Sequence, residues 1–340
     1  MIALNDLTLP KLIEIMAEYG QKPYRAEQIY RWTANGATSF DELTNVAKDL
    51  REKLSLQFNF KCVSIKEKHQ SKLDETCKYL MELDDGELVE SVLMSYKHGY
   101  SVCISSQVGC RMGCAFCASG KNGYKRNLSP AEMLGQILAM QRDADVEISN
   151  IVLMGMGEPL DNYENVTDFI RIANSHQGLN IGIRHISLST CGLVSQINRL
   201  TEEKLAVTLS ISLHATTDEI RSKLMPINRK YPLNQLMQSC RDYANATGRR
   251  ISFEYVLIDG INDTKEDAIR LHQLLQGMPA HLNLIPVNRI ASGEFTPSPN
   301  QRVLQFRDWL MKLKVNATIR RTLGADIEAA CGQLRGGNLK

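Results

Sequence analysis

The sequence predicts an α/β protein: a partial (β/α)6 barrel with a parallel, curled sheet, preceded by an N-terminal helical accessory domain and a short antiparallel extension. Three observations lead there. Six short apolar runs alternate with helix-length stretches between residues 101 and 288, the pattern of βα units on a parallel sheet. From Cys62 to Met94 the apolar period is two, as in antiparallel strands. In residues 1–56 apolar residues recur at helical spacing.

Composition bounds the possibilities. At 340 residues the chain can bury a sizeable core in one large domain plus a smaller one. No run approaches the ~18 apolar residues that a membrane span needs, and the start MIALNDLTLPKLIEIM lacks the basic flank of a signal peptide. Nine cysteines without such a signal suggest a reducing cytoplasm and thiols used for chemistry rather than as staples. A formal net charge of +2 gives no field that would by itself select nucleic acid, so local patches must do so. The candidates are Lys22–Arg31 and Lys121–Arg126, each of which also suits a solvated face.

The elements follow in order. Leu9, Leu12, Ile13 and Met16 mark one helix, and Ala26, Ile29 and Tyr30 a second beyond the Gly20–Pro23 break. Asp41–Leu56 carries Leu43, Val46, Leu50 and Leu54 on one stripe and predicts a third. Tyr24 and Trp32 are expected in the core. CVSIKEKH, CKYLMEL and ELVESVLMS predict strands, with Asp84-Asp85-Gly86 as the turn between the last two. The six barrel runs are 101–106, 150–155, 185–190, 206–214, 251–258 and 281–288. The helix-like stretches are Pro130–Arg142, Val166–His176, Leu193–Leu200, Leu233–Thr247 and Lys265–Leu275. A helical Gln301–Leu313, a strand-like Val315–Arg321 and a polar tail close the chain. The domains are expected at 1–60, 61–95, 96–298 and 299–340.

Chemistry concentrates in Gly109–Ser119, where Cys110, Cys114 and Cys117 stand as C-x3-C-x2-C. A structural zinc site wants four protein ligands, and a [4Fe–4S] cube normally takes four thiolates. Three thiolates would leave one iron open for a ligand that is not protein. A zinc loop completed by a distant histidine, or three structural thiols, also suit the triplet. The loop directly follows the first barrel strand, and chemistry in such folds sits at the carboxyl ends of strands. At the other strand ends stand Gly155-Met156-Gly157-Glu158-Pro159, Ser189-Thr190, Ser212-Leu213-His214 and Asn288. Most of these are polar rim groups, and His214 also suits a satisfied core position. Cys331, beside glycine in a polar tail, is equally readable as a reactive thiol or an ordinary one.

Taken together, YRAEQIYRW, VES, CISSQVGCRMGCAFCASG, VLMGMGEPL, LSTCG, SLHA, RSKLMPIN, FEYVLIDGIND, NLIPVN and DIEAACGQL resemble the RlmN/Cfr family of radical S-adenosylmethionine (SAM) RNA methyltransferases. The match spans nearly the whole chain, and MGEPL and FEYVLIDGIND resemble the RlmN branch. The resemblance implies a radical SAM barrel that methylates C2 of an adenosine in 23S rRNA, at the peptidyl-transferase centre, and C2 of an anticodon-loop adenosine in tRNA. The Cfr branch methylates C8 of that rRNA adenosine and confers antibiotic resistance.

The family's residues carry over by motif. Cys110, Cys114 and Cys117 would hold a [4Fe–4S] cluster, with SAM at Gly157, Glu158, Ser189, Ser212, Leu213, His214 and Asn288. Two SAM molecules serve each turnover. One methylates Cys331 to S-methylcysteine; the other yields a 5′-deoxyadenosyl radical that removes a hydrogen from the S-methyl. The methylene radical then adds to C2, Glu90 accepts the ring proton, and Cys103 resolves the adduct through a transient disulfide with Cys331. The target adenine would leave its stack to reach the methyl carrier, with the helical domain and the basic loop after Cys117 meeting RNA. The resemblance further implies a one-electron reductant such as flavodoxin or ferredoxin, no membrane partner, and a monomer. One departure stands out: Arg289–Glu294 lacks the proline expected after NLIPVN. A zinc-stabilised RNA-binding protein without chemistry is the competing class, and iron or zinc content separates the two.

Overall fold

The computed structural model describes residues 1–121, 123–286 and 295–334. Asn288 and the Arg289–Glu294 run lie outside the described residues. The chain begins with β1 (Ile2–Ala3) and the helices α1 (Leu9–Glu18) and α2 (Pro23–Ala34). Both helices carry Pro in their first turn, where the missing N–H costs nothing. Leu12, Met16, Ala26, Ile29 and Tyr30 are buried between them.

The single helix expected over 41–56 is instead a 3-10 turn at Phe40–Glu42 followed by α3 (Lys48–Ser55). The apolar stripe is still satisfied, since Leu43, Val46, Leu50 and Leu54 are all buried. Side-chain bonds hold the intervening turn: Trp32 Nε1 donates to Asn45 Oδ1 at 2.7 Å, and Arg51 Nη1 to the Phe40 carbonyl at 3.2 Å. Burial can thus follow a stripe that no continuous helix carries. Tyr24 corrects a second expectation: it is 48% exposed, with the Arg25 guanidinium 4.9 Å from its ring centroid. Trp32 is half-buried.

After β2 (Phe58–Asn59), which pairs with β1, come β3 (Val63–Gln70), β4 (Cys77–Leu83) and β5 (Leu88–Tyr96), all antiparallel. β6 (Gly99–Cys103) opens the barrel, and β7 (Gln107–Gly109) with β8 (Tyr124–Asn127) forms a small hairpin around the cysteine loop. Then follow α4 (Pro130–Ala144), β9 (Ile148–Leu153), α5 (Tyr163–Asn174), β10 (Ile186–Thr190), α6 (Val194–Glu202), β11 (Thr208–Ser212) and α7 (Asp218–Leu224). The chain continues through α8 (Leu233–Thr247), β12 (Ile251–Leu257), α9 (Lys265–Leu275), β13 (Ala280–Pro286), α10 (Asn300–Lys312) and β14 (Ala317–Ile319). Local chemistry sets the starts. Ser129 and Glu132 close a capping box ahead of α4, and Thr264 with Asp267 does so for α9, each cap worth about 1 kcal/mol.

One ten-stranded sheet runs β14-β13-β12-β11-β10-β9-β6-β5-β4-β3. From β6 to β14 every pairing is parallel. The antiparallel extension is therefore continuous with the barrel sheet rather than a separate layer. The C-terminal segment adds a parallel strand beyond the six read from sequence. The helical N-terminal part docks on the barrel through the Lys11–Asp168 ion pair and through Asp6, whose Oδ1 accepts from Ala131 N at 2.9 Å. Among the described residues no helix is long and apolar enough to cross a membrane.

Candidate active site

The carboxyl ends of the parallel strands converge on an open cavity of about 940 Å³, counting the space at its mouth. Cys110, Cys114 and Cys117 line it from the β7–β8 loop, and Gly157, Glu158, Ser189, Ser212 and His214 line it from the strand ends. Glycine is required at two places. Gly109 has φ +75°, and a Cβ there would collide with the Gly123 carbonyl, so only glycine lets the cysteine loop fold back on β8. Gly157 has φ +103°, and its Cβ would fall 2.6 Å from Gln107 Cβ.

Electrostatics differ from group to group. Burial pushes the Cys110 thiol up to about 12 and raises that of Cys114 as well. Neither would ionise alone at neutral pH; a bound metal centre would supply the positive charge that makes each a thiolate ligand. Among the described residues no three His, Cys, Asp or Glu side chains surround one point where a single ion could sit. The donor set still suits a cube, because cluster thiolates bind separate irons and need not meet. Glu158 is buried, and burial raises its carboxyl even though it accepts from Cys191 N at 2.7 Å and Leu160 N at 3.0 Å.

His214 lines the cavity and is also held by the fold. Its Nδ1 accepts from Val256 N at 3.0 Å, which fixes the Nε2–H tautomer. Burial, with Arg221 nearby, lowers its imidazole to about 3. It is a neutral ring, held by the fold and lining the cavity. Leu213 is fully buried, with its N donating to the Glu254 carbonyl and its O accepting from Arg221 Nε.

A second cavity, about 520 Å³, adjoins the first and is lined by Val92, Met94, Cys103, Arg320, Ala330 and Cys331 among others. Cys331 and Arg320 line both. Cys331 owes its position to a set of long-range clamps. Ala118 N donates to the Gly332 carbonyl and Ser119 Oγ to the Leu334 carbonyl, both at 2.7 Å, tying the segment to the cysteine loop. Asp326 accepts from Ser71 Oγ at 2.7 Å and Lys72 N at 2.8 Å, tying it to the β3–β4 turn. Burial, then the neighbouring Cys331 thiol, pushes Cys103 up to about 12, with Arg320 pulling the other way. All nine cysteines are free thiols here, so the Cys103–Cys331 disulfide is not present in this state.

Glu90 lines neither cavity; it is buried on β5 with its Oε1 3.2 Å from Lys78 Nζ. The basic loop after Cys117 offers less charge than its sequence suggests. Lys125 pairs with Glu87 at 2.7 Å, and Arg126 with Asp85 at 2.7 Å and Glu132 at 2.8 Å.

Four residues emerge that sequence reasoning passed over. Arg221 is fully buried and donates to the carbonyls of Cys191, Ser212 and Leu213 and to Asn228 Oδ1, bracing the ends of β10 and β11. Cys191 lines the first cavity. Arg320 lies 3.5 Å from Glu254 Oε2. Lys78 is the fourth; a lysine inside the apolar strand CKYLMEL was the one legible signal.

Comparison with known proteins gives the same picture along the whole chain. Residues 104–272 match the family model for the radical SAM superfamily, and residues 2–59 match that for the ribosomal RNA large subunit methyltransferase N-terminal domain. A protein of Desulforamulus reducens named "Probable dual-specificity RNA methyltransferase RlmN" is 50% identical over 98% of this chain and 95% of its own length. One of the same name from Alkaliphilus oremlandii is 49% identical over 98% and 97%. The crystal structure of a radical SAM methyltransferase from Sphaerobacter thermophilus superposes with a TM-score of 0.91 at 43% identity, covering 99% of this chain and all of that one.

Proposed function

This chain belongs to the RlmN family of radical SAM RNA methyltransferases, and from that premise we propose how its own residues divide the reaction. It uses a [4Fe–4S] cluster and SAM, and RNA is its substrate. The observation that carries the proposal is that Cys331 lines both cavities, between the three cluster cysteines and Cys103. Cys110, Cys114 and Cys117 hold the cluster. Gly157, Glu158, Ser189, Ser212 and His214 form the walls against which SAM rests, with Asn288 as a further contact. When bound, the cluster supplies one electron, and two SAM molecules supply a methyl group and the means to remove a hydrogen atom from it.

Cys331 carries the methyl as S-methylcysteine. Once a hydrogen has gone, its methylene carbon bonds to C2 of the adenine, a position too electron-poor to attack a methyl donor itself. Glu90 accepts the proton lost from C2, and the unpaired electron left on the adduct would return to the cluster. Cys103 then attacks the Cys331 sulfur as its thiolate, the bond from sulfur to the new methyl carbon breaks, that carbon takes up a proton, and a disulfide forms that a cellular dithiol reduces. The four-part division follows from this. Residues 1–60 meet RNA, 61–95 carry Glu90, 96–298 form the cofactor barrel and 299–340 bring the methyl carrier. The RNAs proposed are 23S rRNA at the peptidyl-transferase centre and tRNA at an anticodon-loop adenosine, a pairing supported by the relatives' dual-specificity name. A flavodoxin or ferredoxin would supply the electron to a cytoplasmic monomer.

The test is anaerobically reconstituted protein with SAM, a one-electron reductant and unmodified 23S rRNA or tRNA fragments, followed by nucleoside analysis. The expected product is 2-methyladenosine from both RNAs, with a methyl group on the Cys331 peptide by mass spectrometry. A yield of 8-methyladenosine would move the chain to Cfr-type chemistry. Product formed with Cys331 unmodified throughout would remove it as the carrier.

A further inference from the structure

The buried Lys78–Glu90 pair has chemical consequences beyond the assignment of Glu90. Both side chains are almost completely excluded from solvent, at 1% and 0%, with Nζ to Oε1 at 3.2 Å. Register explains the meeting. On β4 and β5, Lys78 pairs with Val92 and Leu80 with Glu90, and across β5 and β6 Val92 pairs with Cys103. Lys78, Glu90, Val92 and Cys103 therefore share one face of the sheet. The Lys78 ammonium also donates to the Glu328 carbonyl at 3.4 Å, three residues before Cys331, where Glu328 itself has φ +50°. One lysine therefore touches the carboxylate and the segment that carries Cys331.

A charge removed from water persists only when it is paired, and deleting one partner leaves the other to neutralise itself by gaining or losing a proton. A carboxyl that already holds its proton cannot accept another. We propose that Lys78 is a positioning residue for Glu90: its ammonium keeps the buried carboxylate in the anionic, proton-accepting form and tethers it to the segment bearing Cys331. The inference rests on Glu90 as the proton acceptor. When Glu90 takes the C2 proton, the pair loses its negative member, and the Glu328 carbonyl remains as an acceptor for the ammonium. The other titratable or charged side chains close to this face are His69 and Glu67 on β3, where His69 pairs with Lys78 and lies 3.3 Å from Glu67, and, around the adjoining cavity, Tyr96 on β5, Cys103 on β6, Arg320 and Arg321 after β14, and Cys331. All are retained when Lys78 alone is changed, so a difference between wild type and variant isolates the ammonium.

The experiment follows decay of the covalent RNA–protein adduct in single turnover, on denaturing gels, from pH 6 to pH 9. The proteins are wild type, Lys78→Met, Lys78→Arg and Glu90→Gln, and methylation of Cys331 serves as the check on folding. Glu90→Gln should trap the adduct at every pH. Lys78→Met should trap it at pH 7, slowing release at least about tenfold, yet recover as rising pH strips the proton from Glu90. Lys78→Arg, which keeps the charge, should release at close to the wild-type rate. A Lys78→Met profile parallel to wild type, or a loss that no pH restores, overturns the proposal. If Glu90→Gln releases normally, the Glu90 assignment fails instead; if it traps while Lys78→Met does not, only the role of Lys78 fails. Should Lys78→Met not fold, the double variant Lys78→Met/Glu90→Gln removes both charges. Folding of the double variant supports charge balance between the two, and its failure counts against the proposal.

Discussion

The two cavities share a wall yet are built in opposite ways. The first is assembled from one cysteine loop and the ends of successive parallel strands, so the βα order of the chain itself brings its residues together. Its polar groups are fixed by backbone, as where Glu158 accepts from Cys191 and Leu160 and His214 from Val256. The second joins β5, β6, the end of β14 and the C-terminal segment, with Glu90 and Lys78 packed beside it, and depends on a few long-range hydrogen bonds. A cofactor site built on rigid strand ends is preorganised whether or not the thiol site is in order. The thiol site depends on where one short segment is clamped.

The largest effect expected from breaking this contrast is at Cys331. Cys331→Ala should lower RNA methylation at least about 10³-fold while iron content stays at the wild-type level, and Cys103→Ala should leave RNA covalently attached to the protein on denaturing gels. Loss of iron in either variant would mean that the two cavities are not separable. Next is Arg221, whose four acceptors would be left without their donor. Arg221→Met should cost about 1–3 kcal/mol for each buried acceptor left unpaired, read as a lower urea midpoint at unchanged slope, and should reduce cluster retention. Asp326→Ala releases the clamp at the β3–β4 turn. A methyl carrier displaced slightly should slow single-turnover methylation by roughly tenfold or more, again with full iron.

The smallest effect belongs to His214 and sharpens the picture of a preformed wall. Its folded imidazole, lowered to about 3 from an ordinary 6.5, contributes stability that is complete above pH 6.5. That contribution is lost as pH falls toward 3, because the unfolded chain takes up the proton first. His214→Asn has no such group, so the stability difference between wild type and variant should shrink with falling pH by up to about 1.4 kcal/mol per unit. Equal slopes in urea titrations at pH 7, 6 and 5 would show that the ring is not held neutral.

How much of this was legible differs by region. The β3–β5 strands lie within a residue of their apolar alternation, and α4 begins at the Pro130 from which it was expected. The stripe over 41–56 gave the right buried residues and the wrong helix, because a stripe reports which side chains are buried and not whether the backbone between them is continuous. Tyr24 was assigned by the average habit of its residue type, which its exposed place on α2 does not follow.

The sequence by itself determined the local patterns that line the first cavity: three cysteines in eight residues, glycines where the chain must turn left-handed, and polar residues at several strand ends. These are local patterns, and local patterns survive in a linear text. Only the tertiary structure decided which long-range hydrogen bonds hold the Cys331 segment against the cysteine loop and the β3–β4 turn, that Arg126 pairs with Asp85 and Glu132, and that a lysine in an apolar strand faces Glu90. Those partners are set by strand order and register, and the distance along the chain between two residues says nothing about which strands a sheet will lay side by side.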